Sequence, residues 1–257
     1  MKRPTGIFVR GYLIVRLIAH FLHAMWLAVF FSRFSKARQV QTLKRWSLKL
    51  LDILNIRFAI RGNPPEILPR GSLLVANHVS WLDIYLLYIQ CPARFVAKAE
   101  VRAWPLMGWL CEKAGTLFIE REKRSDTARI NQNISQVLIN GDCIAVFPEG
   151  MTTDGTHLNA FHSSLLEPAV LAQARVYPVA IRFVNRDGAI DTEAAYVDDM
   201  SLLGSLREIL AQRKMRAELV FSDPIAAKGK NRRELARAAE AAIANQLGLA
   251  VRHRKPE

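Results

Sequence analysis

The sequence predicts an α/β domain behind a helical, membrane-facing N-terminus. Three observations predict it. From about Arg57 onward, short continuous apolar runs alternate with stretches of helical periodicity. The segment before that carries ten cations around a long apolar run and has no acidic residue before Asp52. Of the 257 residues, 51% are hydrophobic and 23% charged, enough for a buried core and too apolar for a disordered chain.

The N-terminal segment comes first. Lys2, Arg3, Arg10, Arg16, Arg33, Lys36, Arg38, Lys44, Arg45 and Lys49 supply ten of the thirteen net positive charges. Between them runs an apolar stretch, Leu17 to Phe31, broken only by His20 and His23. As a helix it spans roughly 22 Å, short of the roughly 30 Å hydrocarbon core, and extending it back to Ile7 brings in Arg10 and Arg16. Cations flank both ends, so charge gives no direction for a single crossing. No A-x-A site follows, which argues against a cleaved signal. The pattern reads as a helix pair, about residues 7–31 and 37–54, dipping into the cytoplasmic leaflet of the inner (plasma) membrane. A single signal-anchor helix is the alternative. Residues 1–54 thus form a membrane-associated segment and residues 55–257 an α/β domain.

Within that domain, Ser72–Ala76 and Cys143–Phe147 read as buried strands. Weaker strand signals lie at Arg94–Ala97, Thr116–Ile119, Val176–Phe183, Ala194–Val197 and Ala217–Phe221. Ser125–Ile139 has Ile130, Ile134, Val137 and Leu138 at helical spacing, with Gly141 just beyond its end as a stop signal. Ser201–Lys214 repeats the pattern. Asn231 with Glu234 makes a capping-box start for a last helix to about Leu247. Cys91, Cys111 and Cys143 are too few and too scattered for a disulfide framework or a CxxC metal site, which points to a reducing compartment.

Three clusters could carry chemistry. After the first buried strand stands Asn77-His78-Val79-Ser80-Trp81-Leu82-Asp83. On a regular helix positions i and i+5 diverge by roughly 140°, so His78 can meet Asp83 only by preceding the helix. Ser80 as N-cap would start that helix and turn Asp83 back toward His78. Alternatively, Asp83 merely caps the helix and His78 is a satisfied turn histidine. Second, Gly115-Thr116-Leu117-Phe118-Ile119-Glu120-Arg121 delivers an arginine at a strand end, able to clamp phosphate or only to pair with its acidic neighbours. Third, Phe147-Pro148-Glu149-Gly150, followed by Met151-Thr152-Thr153, offers backbone N–H groups and hydroxyls to an anion, or makes a plain turn.

Taken in order with Tyr177-Pro178-Val179-Ala180, these motifs resemble the glycerolipid acyltransferase family, which includes 1-acyl-glycerol-3-phosphate acyltransferases. They span residues 77–180, about 40% of the chain. The resemblance implies a mixed β-sheet flanked by helices and an O-acyltransferase that moves a fatty acyl group from a thioester to the free hydroxyl of a lysolipid. It implies that His78 is the general base and Asp83 holds its tautomer, with the acceptor hydroxyl as nucleophile. It assigns Arg121, Glu149 and Gly150, with Thr152, to the acceptor headgroup and Pro178 to the acyl-donor region. Gly115 opens the second motif, and Lys98 is similar to the lysine the family carries between its first two motifs. No metal and no cofactor is implied; acyl-CoA or acyl carrier protein serves as co-substrate.

Where the family usually has Thr after Phe-Pro-Glu-Gly, this chain has Met151. The Thr-Thr-x-Gly and Phe-x-Ser-Ser-Leu pieces, at residues 152–155 and 161–165, look like the branch containing lyso-ornithine lipid acyltransferases. The family implies 1-acyl-glycerol-3-phosphate as acceptor, and the branch features bring in lyso-ornithine lipid. From other function classes, a non-catalytic basic membrane-surface protein would have no need of His78 and Asp83 together. Nucleic-acid binding fits worse, because the cations alternate with a lipid-like run and no recognition helix or RNP motif is visible.

Overall fold

The computed structural model describes residues 6–65, 69–119, 124–185, 187–197, 200–212 and 214–252. Two helices open it. α1 (Ile7–Phe31) buries a stripe of Leu17, His20, Ala28 and Phe31 at helical spacing, and its other faces stay exposed and largely apolar. Ser35 caps α2 (Lys36–Ile53) by accepting the Arg38 N–H. Trp46 Nε1 donates to the His20 carbonyl at 3.3 Å, His20 Nε2 lies 3.1 Å from the Trp46 carbonyl, and the two rings stack 4.3 Å apart. These contacts pin the helices together midway along the pair.

In chain order there follow β1 (Ile56–Gly62), β2 (Leu73–Ala76), α3 (Leu82–Gln90), β3 (Arg94–Lys98), α4 (Met107–Lys113), β4 (Leu117–Ile119), α5 (Arg124–Ile139), β5 (Ile144–Val146), β6 (Leu158–Asn159), α6 (Glu167–Leu171), β7 (Arg175–Val184), α7 (Leu202–Ala211), β8 (Met215–Phe221), β9 (Ile225–Ala226), α8 (Arg232–Leu247) and β10 (Val251–Arg252). The main sheet has the order β1-β8-β7-β2-β5-β3-β4, with β9 also on β7. Its pairs are parallel except β7–β8 and β7–β9, so the sheet is mixed and flanked by helices. β6 and β10 form a separate two-stranded parallel pair.

β2 and β5 are short and wholly apolar because both faces of the sheet are covered. One face packs on α2 and α3, and Leu17, Leu50, Leu51 and Leu54 of the N-terminal segment share that core with Leu74, Leu82 and Phe183. The opposite core joins Leu73 and Val146 to Ile134 and Leu138 of α5 and to Leu235 and Ile243 of α8. The boundary expected at residue 54 falls in the turn before β1, and the hydrophobic core continues across it. α8 starts with the expected capping box at Asn231 and ends on Gly248 with φ of 65°.

Two local expectations differ from the structure, and one strand had no counterpart among them. Ala194–Val197 is no strand: a 3₁₀ turn (Thr192–Ala194) leads into an irregular segment whose Tyr196 N–H donates to the Val79 carbonyl. The hydroxyl of Ser80 does not cap α3; its carbonyl accepts the Asp83 N–H instead. β1 alternates inward Ile56, Phe58 and Ile60 with exposed Arg57, Ala59 and Arg61, as an edge strand with one face exposed should, a pattern hidden at the end of the basic segment. Pro178 sits inside β7, where its missing N–H falls at the point along that edge where the neighbour changes from β9 to β8.

Beyond the end of β2, the Asn77 side chain stands in for a further strand residue. Its amide donates to the Ile181 carbonyl at 2.8 Å and accepts the Ile181 N–H at 2.7 Å. Asn77→Ala leaves both backbone groups unpaired inside the protein. It is expected to lower stability by roughly 2–4 kcal/mol, read as a fall of several degrees in a thermal melt.

Candidate active site

The site grows from the abrupt end of β2. With Asn77 fixed on β7, the chain turns at His78 and enters α3 at Leu82, which puts Asp83 on the first helical turn beneath His78. One oxygen, Asp83 Oδ2, accepts from His78 Nδ1 at 2.8 Å, from the Val79 N–H at 2.7 Å and from the Ser80 N–H at 2.9 Å. Asp83 is fully buried, and the His78 side chain is one-fifth exposed. A carboxylate only accepts, so Nδ1 carries the proton and Nε2 keeps a free lone pair. Phe147 stacks on the imidazole, centroids 3.9 Å apart and planes 10° from parallel, which fixes the ring about its remaining torsion.

Glu149 lies behind this pair. Its Oε1 accepts the His78 N–H at 2.7 Å and its Oε2 the Asn159 N–H at 2.8 Å. Burial pushes the carboxyl up to about 7, against those two N–H donors, which favour the ionised form. Gly150 turns the chain at φ 78°, and Thr152 donates its hydroxyl to the Tyr196 carbonyl. The Thr153 N–H returns to the His78 carbonyl at 2.8 Å. The loop after β5 is therefore stitched to the loop after β2 at three points.

His78 opens into a cavity of about 520 Å³ between the helix pair and the sheet. Phe21, Leu27 and Trp46 of the helix pair line it together with Tyr85, Phe95 and Leu110. Such a lining suits a hydrocarbon chain. Among the residues singled out from sequence, His78, Lys98, Gly150 and Thr152 line this cavity. Asp83 and Glu149 sit behind it. Gly115, at φ 85°, lets its carbonyl accept Arg94 Nε at 2.7 Å and borders a smaller neighbouring cavity. Pro178 is buried in the sheet opposite Val75. Arg121 lies outside the described residues.

Sequence reasoning did not pick out Phe147, Asn77 or Tyr196 individually, nor the wall contributed by α1 and α2. Phe147 and Asn77 stand inside quoted motifs, and the signal they gave was position beside a strand end. The α1 wall residues carried only a helical stripe, which any packed helix shows.

Replacing Glu149 by Gln keeps one acceptor and turns an amide donor toward a backbone N–H. It is expected to destabilise the fold by roughly 1–3 kcal/mol in denaturant unfolding. The pH dependence has a defined sign. A carboxyl raised in the folded chain binds its proton more tightly there, so its contribution is full below about 4.5 and is lost as pH climbs to about 7. That decline in stability should be present in the wild type and absent in Glu149→Gln.

The geometry can be set beside known proteins. The family described as Acyltransferase matches residues 59–182, which contain the whole His78–Glu149 cluster. A lyso-ornithine lipid O-acyltransferase from Pseudomonas aeruginosa is 43% identical over 79% of this chain and 77% of its own length. A 1-acyl-sn-glycerol-3-phosphate acyltransferase from Neisseria gonorrhoeae is 35% identical over 73% of this chain and 71% of its own. The crystal structure of the 1-acyl-sn-glycerophosphate acyltransferase PlsC from Thermotoga maritima has the same fold, with a TM-score of 0.72 and 94% of each chain covered at 20% identity. With a relative of this identity over this length, and the family's match lying across the site, the chain belongs to the acyltransferase family.

Proposed function

We propose that the protein transfers a fatty acyl group from an acyl thioester to the free hydroxyl of a lysolipid at the cytoplasmic face of the inner membrane. The observation that carries this reading is the His78–Asp83 pair, 2.8 Å apart, opening into an apolar cavity. In this reading His78 Nε2 takes the proton of the acceptor hydroxyl as its oxygen attacks the thioester carbonyl. The tetrahedral intermediate collapses, the C–S bond breaks, and the departing thiolate takes the proton back from the imidazolium. Asp83 holds the tautomer and stabilises the transient positive charge. The donor is acyl-CoA or acyl carrier protein, no further cofactor takes part, and the cavity holds an acyl chain.

Two acceptors fit this chemistry. The motif set favours 1-acyl-glycerol-3-phosphate, whose phosphate Lys98 and Arg121 would meet. The higher identity to the Pseudomonas aeruginosa protein and the Thr-Thr-x-Gly and Phe-x-Ser-Ser-Leu pieces at residues 152–155 and 161–165 favour lyso-ornithine lipid. Attachment to the membrane is assigned to residues 1–54. α1 is long and apolar enough to cross a bilayer, at 25 residues. One of its faces, however, is committed to α2 and the core, and the exposed residues of α2 include Lys36, Arg38, Lys44, Arg45 and Lys49. An apolar helix beside a basic one suits a single leaflet with the cations at the headgroups.

Purified protein offered an acyl thioester with lysophosphatidate or lyso-ornithine lipid tests the reading. Product from one acceptor alone names the substrate, and none from either rejects the proposal. His78→Ala is expected to abolish transfer, by a factor of 10³ or more, while vesicle binding persists. If lysophosphatidate is the acceptor, Arg121→Ala raises its KM with little change in kcat; an unchanged KM removes Arg121 from the headgroup site.

A further inference from the structure

One corner of the main sheet has no covering layer. Strand alternation turns Ile56, Phe58 and Ile60 of β1 and Met215, Ala217 and Leu219 of β8 toward α2, where they join the core or pack against it. Arg57, Ala59 and Arg61, with Arg216, Glu218 and Val220, therefore lie on the opposite face. α8 packs over β7 on that side, but the core beneath it reaches β8 only at Val220 and includes no residue of β1. Arg57, Ala59, Arg61 and Arg216 are exposed.

The register makes this corner a grid of charges. Ala59, Glu218 and Arg182 are aligned across β1, β8 and β7. In that row the charges are matched, because Glu218 accepts from Arg61 at 2.9 Å and from Arg182 Nε at 2.7 Å, with one oxygen for each guanidinium. The adjacent row on the same face aligns Arg57, Arg216 and Val184. Among the described residues Arg57 and Arg216 have no hydrogen-bond or ion-pair partner, and exposed Lys214 directly precedes β8. Like charges on neighbouring strands repel, so this row is loaded without a counter-charge. It lies toward the edge where β2 delivers His78, since Ile181, which holds Asn77, comes three residues before Val184. β1 is three strands from β2, roughly 14 Å across the sheet.

We propose that the open sheet corner built around Arg57 and Arg216 is a docking surface for an acidic protein, and that this protein is the carrier that brings the acyl thioester. The Glu218 unit shows, on this same face, a carboxylate seated between two guanidiniums; the Arg57–Arg216 row offers the next seat to a carboxylate from outside. The helix pair packs on the other face of the sheet, so with the pair in a leaflet this corner faces water and not headgroups. Guanidiniums spread over three open strands match the extent of a protein surface, whereas small-molecule sites are concave. The proposal rests on the reaction proposed above and deepens it by selecting acyl carrier protein over acyl-CoA as donor.

The first test needs no turnover. Full-length protein in neutral detergent is titrated with fluorescently labelled acyl carrier protein, and wild type is compared with Arg57→Gln combined with Arg216→Gln. The expected result is binding that the double variant weakens roughly tenfold or more, with vesicle attachment and the thermal melt unchanged. No binding to the wild type, or equal binding to the variant, overturns the proposal. Loss of binding together with a lowered melt assigns the two arginines to the fold and also overturns it. The second test measures transfer from acyl carrier protein and from acyl-CoA. In the double variant the KM for the carrier substrate should rise roughly tenfold or more with kcat held, while the KM for acyl-CoA stays. Equal losses on both donors overturn the proposal, and a loss confined to acyl-CoA does so by giving the arginines to the phosphates of that donor. Carrier binding that needs the two arginines, in a wild type that transfers from neither donor, would reject the proposed reaction and leave the docking surface standing.

Discussion

One carboxylate oxygen organises the site. Asp83 Oδ2 gathers the His78 imidazole and the N–H groups of Val79 and Ser80, all within 2.9 Å. A carboxylate moved out of water carries a penalty of several kcal/mol unless its lone pairs are taken up. Here those of Oδ2 are taken up by the residues that must be positioned, while Oδ1 is buried without a partner. For three donors within six residues to converge on one atom, β2 has to stop at Ala76, the chain has to coil through Ser80, and α3 has to start at Leu82. The orientation of the imidazole is therefore a by-product of solvating the acid. Glu149 performs the complementary task on the main chain, holding the His78 N–H from the other side and tying it to β6.

The surroundings extend that constraint outward. Phe147, delivered by the neighbouring strand β5, covers one face of the imidazole and faces Phe95 on its own other side, so the ring is stacked within an aromatic row. The Tyr196 segment crosses the Val79 and Thr152 backbones and closes the loop pair. These contacts come from strand ends β2 and β5, which are adjacent and parallel in the sheet. Parallel neighbours carry their C-terminal loops to the same edge, which is why two motifs about 70 residues apart in sequence meet.

Much of this was legible in the sequence, and the reasons are local. The buried strands, α5, α8 with its capping box and the helix pair all announced themselves through apolar period or cap chemistry. Helix geometry gave the condition under which His78 could meet Asp83, that the histidine precede the helix, and the family resemblance implied the pairing itself. Less legible were features set by long-range geometry. Ala194–Val197 has strand composition, but its position over the loop after β2 gives it a Val79 partner in place of a ladder. Ser80 looked like a cap, yet the Asp83 carboxylate takes the N–H groups and the hydroxyl is left aside. The assignment of Glu149 to the shaping of a headgroup site did not say that both its oxygens are engaged by backbone N–H groups. That is a matter of where Asn159 arrives, and no spacing within the motif encodes it.

Phe21, Leu27 and Trp46 belong to the helix pair and yet wall the chamber beside His78. On the proposed reading, attachment and substrate space are thus a single structural unit. Exchanging the N-terminal helices for another anchor would restore an address and leave the chamber without a side. On that reading, variation that tunes the fit of an acyl chain and variation that tunes the grip on lipid fall on the same few turns of α1, so neither property can drift far without the other.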